Sequence, residues 1–311
     1  MSCVNPSYVE GVIDDYTGLI RYKFFGHGRY LKVSDFGSID DLIDGKRVRI
    51  PVPCRTCLGC RIDYSREWAN RMCLEMLCSG QACFITLTYN NSSLPLTKDL
   101  IPTLCKRDWQ LFMKRLRKAF PDRKLRFYMC GEYGSHTLRP HYHAIIFGLD
   151  IFAFPDLKYL KKSEIGSLYF SSPKLEKIWS KGFCLIAECN FRTCAYVSRY
   201  TLKKHFGSSK SELRGALPEF TLSSRRPGIG LDPSLLDKFQ GDFFDIPLSD
   251  GVQHIRVPRS FIKKFTSSSS CLVDSCQKIF DRLNFIRYTL LRDLNSDIVS
   301  QLNFSGHKKD H

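Results

Sequence analysis

The chain has 311 residues, of which 43% are apolar and 13% aromatic, enough to form a hydrophobic core in one large domain or two smaller ones. Its 47 Lys and Arg residues outnumber 31 Asp and Glu residues, and the formal net charge of +16 favours a polyanionic partner, first of all a nucleic acid. No run approaches the roughly 18 apolar residues of a membrane span. The acidic N-terminus lacks the apolar segment of a signal peptide, so neither membrane insertion nor export is expected.

The 14 cysteines are expected to be thiols or metal ligands, because their density is low and no export signal is present. Cys54, Cys57 and Cys60, in "CRTCLGC", have the two-residue spacing of a zinc knuckle or ribbon. Cys73 or Cys78, on the next predicted helix, could supply a fourth thiolate. Two interpretations stay open for the cluster, a structural Zn²⁺ site and reduced cysteines without a metal.

Periodicity and residue type predict a series of helices and strands in the middle of the chain. In order, they predict a helix at 62–77, a strand at 82–90, a basic helix at 106–120, strands at 124–134 and 141–149, a short helix at 172–182, a strand at 183–189 and a helix at 192–206. This order is typical of an α+β fold with a central antiparallel β-sheet flanked by helices. The predicted domains are an N-terminal segment at 1–79 that contains the cysteine cluster, a core at 80–210, and a C-terminal region at 211–311, partly helical and basic, that binds DNA or a partner or packs on the core.

The motif "RPHYHAIIFG" begins a predicted strand and contains two histidines one residue apart. Side chains alternate along a strand, so His141 and His143 point to one face and Tyr142 to the other. Glu132 ends the preceding strand, and a hairpin between the strands would bring its carboxylate beside the imidazoles. Two imidazoles and a carboxylate suit a divalent ion that polarises a phosphate. The alternatives are a chance H-x-H and a solvated glutamate in a turn.

The predicted helix at 192–206 carries a pair of tyrosines. Tyr196 and Tyr200 are four residues apart and therefore lie on one helix face, which Lys203 and Lys204 continue. Phenols flanked by lysines can attack phosphate esters, while the cations offset the charge that develops. Core packing is the alternative role for an aromatic pair with this spacing.

Two further segments are candidates for DNA contact. The basic helix at 106–120 includes Lys114, Arg115 and Arg117, and "SRRPGIG" includes Arg225 and Arg226 beside glycines that let a backbone approach a ligand closely. A solvated basic helix face and an Arg-rich surface turn are the alternatives.

Several of these motifs together resemble one family. "FITLTYN", "RPHYHAIIFG" and "YVSRYTLKK", in that order, resemble the three motifs of the HUH endonucleases that initiate rolling-circle DNA replication. With "PCRTCLGCRIDYSREWANR", "GEYG" and "SRRPGIG" they resemble more narrowly the replication initiators (Rep) of gokushoviruses, single-stranded DNA phages of the Microviridae that include those of Chlamydia. The resemblance covers about residues 50–230 and implies the HUH endonuclease fold.

The resemblance also implies an activity, a DNA nickase and ligase. His141 and His143, with Glu132 as a third ligand, would hold Mg²⁺ or Mn²⁺ at the scissile phosphate. Tyr196 or Tyr200 would attack it, leaving a 3′-hydroxyl for the host polymerase and a 5′-phosphotyrosine on the protein. The second tyrosine would cut the regenerated origin, and the 3′-hydroxyl would close the displaced circle. Lys203 and Lys204 would contact phosphate or transfer a proton.

The expected partners are single-stranded or supercoiled DNA at a phage origin, a host helicase and the host DNA polymerase, all in the host bacterial cytoplasm. The chain contains no "GxxxxGK[ST]" motif, so unwinding would come from the helicase. One alternative is a non-catalytic nucleic-acid-binding protein in which the H-x-H pair and the cysteines bind structural zinc. Another keeps the same chemistry in a plasmid initiator or a transposase.

Overall fold

A computed structural model describes most of the chain up to residue 265. The described residues are 7–13, 20–27, 48–134, 137–163, 166–203, 215–239, 243–248 and 251–265. The chain divides into two compact units, one formed by residues 1–63 and 270–311 and the other by residues 64–269.

The first unit contains a small antiparallel sheet. Its strands β1 (Ser7–Ile13), β2 (Ile20–His27) and β3 (Val48–Val52) lie in the order β2-β1-β3. None of these strands is among the elements predicted from the sequence. The cysteine-rich turn follows β3, and helix α1 (Leu58–Ser79) begins within this turn and continues into the second unit.

The second unit is built on a seven-stranded sheet. Its strands are β4 (Ala82–Thr88), β5 (Arg126–Tyr133), β6 (Pro140–Phe147), β7 (Lys158–Lys162), β8 (Leu168–Ser171), β9 (Cys184–Glu188) and β10 (Phe220–Ser223). The helices between and after them are α2 (Lys106–Ala119), α3 (Pro173–Trp179), α4 (Phe191–Lys203) and α5 (Arg259–Phe265), and a separate hairpin is formed by β11 (Phe243–Leu248) and β12 (Gly251–Arg256).

The strand order is β10-β5-β6-β4-β9-β8-β7, and all the described pairings are antiparallel. The predicted α+β class with an antiparallel sheet and flanking helices is therefore confirmed, and β6 lies between β5 and β4. The hairpin of β7 and β8 lies in a stretch that was predicted as a loop. Every residue of β7, "KYLKK", is exposed, so this edge strand lacks the apolar alternation by which strands are recognised.

Helices cover both faces of this sheet. On one face, Trp109 and Phe112 of α2 and Trp179 of α3 pack with Tyr142 of β6 in the main apolar cluster. The opposite face is covered by α1 and α4. There Trp68 packs on Tyr128 with ring centroids 4.7 Å apart, and Ser65 and Ser198 are hydrogen-bonded at 3.1 Å. Within the described residues, none of the helices combines the length and the apolar character needed to cross a bilayer.

Candidate metal and tyrosine site

The centre of the site is the hairpin of β5 and β6. Its register pairs Glu132 directly with His141 and Cys130 with His143, so the predicted return of Glu132 beside the histidine pair is confirmed. Side chains of paired residues share a face, and this is the face covered by α1 and α4. Tyr142, between the histidines, points into the apolar cluster on the other face.

Both imidazoles converge on one carboxylate oxygen. His141 Nε2 lies 2.8 Å and His143 Nε2 lies 3.0 Å from Glu132 Oε1. One ligand atom from each of the three residues lies within 4.8 Å of the others. Glu132 and His143 are buried, whereas His141 is partly accessible at the rim. The prediction that these three side chains form one cluster is confirmed.

The other ring nitrogen of each histidine is oriented by a second partner. His141 Nδ1 donates to the Arg139 carbonyl oxygen at 2.9 Å, because that oxygen can only accept. His143 Nδ1 lies 2.9 Å from Thr86 Oγ1, and Thr86 is the direct neighbour of His143 on β4. Outer partners of this kind fix the ring orientation of metal-binding histidines. Neither Thr86 nor Arg139 was predicted, although the strand register would have revealed Thr86.

The charge of Glu132 matches a cation site. Burial alone would raise the pKa of its carboxyl group, but the hydrogen bonds of His141 and His143 to the ionised form outweigh it and lower the pKa to about 2. The carboxylate is therefore ionised at neutral pH. Because Nδ1 of His141 carries a hydrogen, the neutral form of this imidazole has its lone pair on Nε2, directed towards the carboxylate. A divalent cation can be shared by these atoms, so the donor set fits a metal ion.

Tyr196 of α4 borders this cluster. Its ring lies 5.5 Å from the His143 ring and 6.0 Å from the Phe84 ring, both nearly perpendicular, and 42% of its surface is exposed. The interior face of α4 is formed instead by residues such as Cys194 and Val197. Tyr196 therefore lies beside the histidines and not in the core, which argues against the packing alternative for this residue.

The second tyrosine and the lysines are less fully described. Tyr200 and Lys203 lie within the bounds of α4, but their side chains lie outside the described part of the chain, as does the whole of Lys204. One helical turn separates Tyr200 from Tyr196. Their roles stay predictions.

The basic helix α2 lies on the face of the sheet opposite the histidines. Lys114 and Arg117 are exposed there, and an Arg117 side-chain nitrogen also lies 3.4 Å from the Leu125 carbonyl oxygen. Arg115 donates to the carbonyl oxygens of Ile178 and Trp179 at 2.6 and 2.7 Å. Arg115 thus satisfies the C-terminal end of α3, a structural role that leaves less of its guanidinium for a phosphate.

The "SRRPGIG" loop follows β10 and exposes Arg225 and Arg226. Ser223 pairs with Tyr128, four residues from Glu132 along β5. The loop therefore starts about 13 Å from the cluster along the strand. The close approach of Gly230 is to α1, since a Cβ there would lie 2.4 Å from the Arg71 carbonyl oxygen. The expectation that these glycines make room for a ligand is thus replaced at Gly230 by backbone-to-helix packing.

The cysteine cluster lies in the first unit. One Sγ atom from each of Cys54, Cys57 and Cys60 lies within 4.8 Å of the others. The expected fourth ligands on α1 are wrong, because Cys73 is 13 and Cys78 is 18 residues beyond Cys60 on the same helix. At 1.5 Å per residue these separations are about 20 and 27 Å. Instead, Cys78 Sγ accepts a hydrogen bond from Ser234 Oγ at 3.8 Å.

Comparisons with known proteins point to one kind of protein. Residues 82–205 match a family of replication-associated proteins whose description names ORF2. The replication-associated protein ORF2 of Spiroplasma virus 4 is 29% identical over 271 residues, 85% of this chain and 80% of that protein. No solved structure matches the chain, and the HUH label for the fold stays a prediction.

Two further relatives are similar over shorter segments. The replication-associated protein VP4 of Bdellovibrio phage phiMH2K is 32% identical over 49% of this chain, and the replication-associated protein ORF4 of Chlamydia phage 1 is 30% identical over 60%. The chain spans about half the length of these two relatives, 48% and 47%. The predicted kinship with phage replication proteins is confirmed, and residues 82–205 are the segment that this chain shares with the ORF2 family of replication-associated proteins.

Proposed function

We propose that this protein nicks and rejoins single-stranded DNA at a phage replication origin through a covalent tyrosine intermediate. The observation that carries the proposal is the convergence of His141 Nε2 and His143 Nε2 on Glu132 Oε1, with the exposed Tyr196 ring 5.5 Å from the His143 ring. A cation site and a phenol next to each other are what a phosphate ester requires for attack by a tyrosine.

The three ligands would hold Mg²⁺ or Mn²⁺, which when bound acts as a Lewis acid on the scissile phosphate. Thr86 and the Arg139 carbonyl keep the two Nε2 atoms aimed at the ion position. The burial of Glu132 and His143 limits the water that reaches them, so the rim beside His141 is the side open to a substrate.

The Tyr196 phenol would lose its proton and form a bond from its oxygen to phosphorus. The bond from phosphorus to the 3′-oxygen breaks, and that oxygen leaves as a 3′-hydroxyl after taking up a proton. The 5′-phosphate stays on Tyr196 as an ester, which conserves the energy of the cleaved bond, so rejoining needs no nucleotide cofactor. Tyr200, one turn along α4, would make the second cut, and Lys203 and Lys204 would contact the phosphate or move the proton.

The net charge of +16 supports DNA as the partner. Arg225 and Arg226 are exposed and would contact the backbone of the strand that leads away from the site. A host polymerase would extend the 3′-hydroxyl and a host helicase would unwind the duplex, which places the action in the host cytoplasm.

The test is an adduct assay with labelled single-stranded DNA that carries the phage origin, with Mg²⁺, with Mn²⁺ and with EDTA, on a denaturing gel. The chains compared are the wild type, Tyr196→Phe, Tyr200→Phe, the double variant and His141→Ala/His143→Ala. Tyr142→Phe is a matched control, because Tyr142 lies between the histidines but on the opposite face of the sheet.

The proposal predicts a metal-dependent band of protein-bound DNA that survives denaturation. It disappears when both tyrosines or both histidines are lost and persists in Tyr142→Phe. If the wild type binds DNA but neither cuts nor attaches to it, the enzyme is excluded, and a non-catalytic nucleic-acid-binding protein takes its place.

A further inference from the structure

The turn that leads into α1 has features of a metal site that the nicking reaction does not use. Cys54 and Cys57 flank the turn, and Cys60 lies in the first turn of the helix. Cys60 is buried and the other two thiols are half-buried. The turn therefore holds three sulfur ligands close together and partly shielded from water.

The sulfur spacing distinguishes among the ways in which three cysteines can be used. Thiolates on one tetrahedral Zn²⁺ at 2.3 Å must lie about 3.8 Å apart, the edge of the tetrahedron. The Sγ atoms of Cys54 and Cys60 are 3.9 Å apart, and all three Sγ atoms lie within 4.8 Å. The distances therefore match a single ion.

Two other uses of the motif fit less well. The spacing C-x₂-C-x₂-C also occurs in iron–sulfur proteins, but there each thiolate binds a different iron, so the sulfur atoms are spread farther apart. A disulfide joins only two of three thiols and requires sulfur atoms at about 2.05 Å. The observed compact triangle favours neither of these uses.

Backbone donors already point at the sulfur atoms. The Cys57 amide donates to Cys54 Sγ at 3.3 Å, and the Cys60 amide donates to Cys57 Sγ at 3.4 Å. The Thr56 hydroxyl donates to Cys54 Sγ at 3.5 Å. Hydrogen bonds to a sulfur favour the thiolate, the form that binds a metal.

The backbone between the first two cysteines is strained in a way that keeps this geometry. Arg55 has a φ of +65°, a left-handed conformation that a residue with a Cβ seldom adopts. Such a residue costs on the order of 1 kcal/mol and persists where the surroundings require it. Here it folds the chain back so that the amide of Cys57 reaches the sulfur of Cys54.

We propose that Cys54, Cys57 and Cys60 bind one structural Zn²⁺ through their three thiolates. The ion would clamp the turn after β3 to the first turn of α1. It is separate in residues and in chemistry from the oxygen- and imidazole-ligated cation of the nicking site. Because the ion would cross-link the turn only in the folded chain, its binding would stabilise the fold.

The experiment uses the full chain with His141→Ala/His143→Ala as background, so that the cysteine site is the one assayed. Protein made in zinc-supplemented medium and purified without chelators is analysed for metal by mass spectrometry. The background chain is compared with versions that also carry Cys57→Ser or Cys60→Ser. Cys78→Ser, a half-buried thiol later on the same helix, is the matched control.

The expected result is about one zinc per chain in the background and in Cys78→Ser, and a loss of at least tenfold in occupancy in the other two. A second measurement needs no cysteine variant: a mercurial reagent titrated into the folded background chain should release zinc as its thiols react, detected with a colorimetric zinc indicator. Cobalt substitution should give the intense visible bands of a tetrahedral thiolate site.

Each contrary result is distinct. A background chain without zinc, zinc retained in both serine variants, or iron with acid-labile sulfide in place of zinc would overturn the proposal. None of these results bears on whether Tyr196 attacks DNA, because the nicking assay reads a covalent adduct in the chain with intact histidines.

Discussion

At the residue scale, the strand β6 gives neighbouring side chains opposite tasks. His141 and His143 face the cation site, whereas the Tyr142 hydroxyl is buried in a hydrogen-bond network on the other side of the sheet. It accepts from the Cys105 amide at 2.9 Å, donates to the Cys105 carbonyl at 3.0 Å and lies 2.8 Å from the Tyr89 hydroxyl. The Tyr89 hydroxyl also donates to Asp108 at 2.8 Å.

Removing one hydroxyl from this network should affect stability and not chemistry. Tyr142→Phe leaves the buried Cys105 amide without this partner, a loss of about 1–3 kcal/mol in the free energy of unfolding. Urea unfolding measures the loss, and the adduct assay below the melting temperature should be unchanged. An adduct yield that falls in parallel with His141→Ala would contradict the separation of the two faces.

Glu132 should give a pH-dependent contribution to stability in the chain without metal. Its pKa is lowered to about 2 in the fold, so the ionised carboxylate stabilises the fold above its unfolded pKa of about 4.3. This contribution is lost as the pH falls from that value towards 2. In EDTA, the wild type should melt above Glu132→Gln at pH 5, and the difference should shrink on acidification.

Thermal melting of both chains between pH 2.5 and 6 tests this sign. A difference that stays constant over the range would mean that the Glu132 charge contributes nothing. With metal present, Glu132→Gln should also bind Mn²⁺ at least tenfold more weakly, because an amide oxygen carries no charge to offset the cation.

At the element scale, the position of α4 brings the tyrosine to the histidines. The start of this helix is held by reciprocal hydrogen bonds. Thr193 N donates to Asn190 Oδ1 at 3.0 Å and Asn190 N donates to Thr193 Oγ1 at 2.8 Å. Further along, Ser198 is bonded to Ser65 of α1. These contacts set the rotation of the helix, so that Tyr196 faces outward beside His143.

The loop that contains Arg225 and Arg226 is attached to α1 through a glycine, and a matched pair of glycines tests this. Gly230 and Gly80 have similar φ angles of +63° and +68°, but an added Cβ meets the Arg71 backbone at 2.4 Å in the first case and no atom within 4 Å in the second. Gly80→Ala should cost about 1 kcal/mol from backbone strain alone. Gly230→Ala should cost clearly more, because the loop must move away from the helix.

Chemical denaturation of the two variants gives the comparison. The Gly230 amide also donates to Glu75 at 2.8 Å, so displacement of the loop removes a buried hydrogen bond as well. Equal losses for Gly80→Ala and Gly230→Ala would show that the loop is not held by this approach.

At the scale of the whole molecule, the excess of positive charge predicts DNA binding that weakens with salt. Each phosphate contact to a single strand contributes about 0.7 to the slope of log affinity against log salt. Arg225→Ala/Arg226→Ala should therefore reduce the slope by about 1.4. Fluorescence anisotropy with a labelled oligonucleotide at several salt concentrations measures it.

The double variant Lys114→Ala/Arg117→Ala is the charge-matched comparison, because it removes two positive charges from the face opposite the histidines. We expect a smaller change in its slope if the strand runs over the histidine face. The same reduction in both variants would indicate a general charge effect in place of a local contact.

The amino-acid sequence by itself determined the features that depend on local periodicity. The alternation of a strand placed His141 and His143 on one face, and the apolar spacing predicted the helices and strands between residues 62 and 206 apart from the hairpin of β7 and β8. The short hairpin after Glu132 was also within its reach, because adjacent antiparallel strands joined by few residues pair with each other. These properties require only neighbours along the chain.

Tertiary structure decided the features that depend on residues far apart in sequence. Strand order made Thr86 the partner of His143, the packing of α4 brought Tyr196 to the same ring, and the contact with α3 occupied Arg115. The exposed edge strand β7 had no apolar pattern to reveal it. Local patterns specify which side of an element a residue occupies, but which groups meet there depends on long-range pairing and on packing across the sheet.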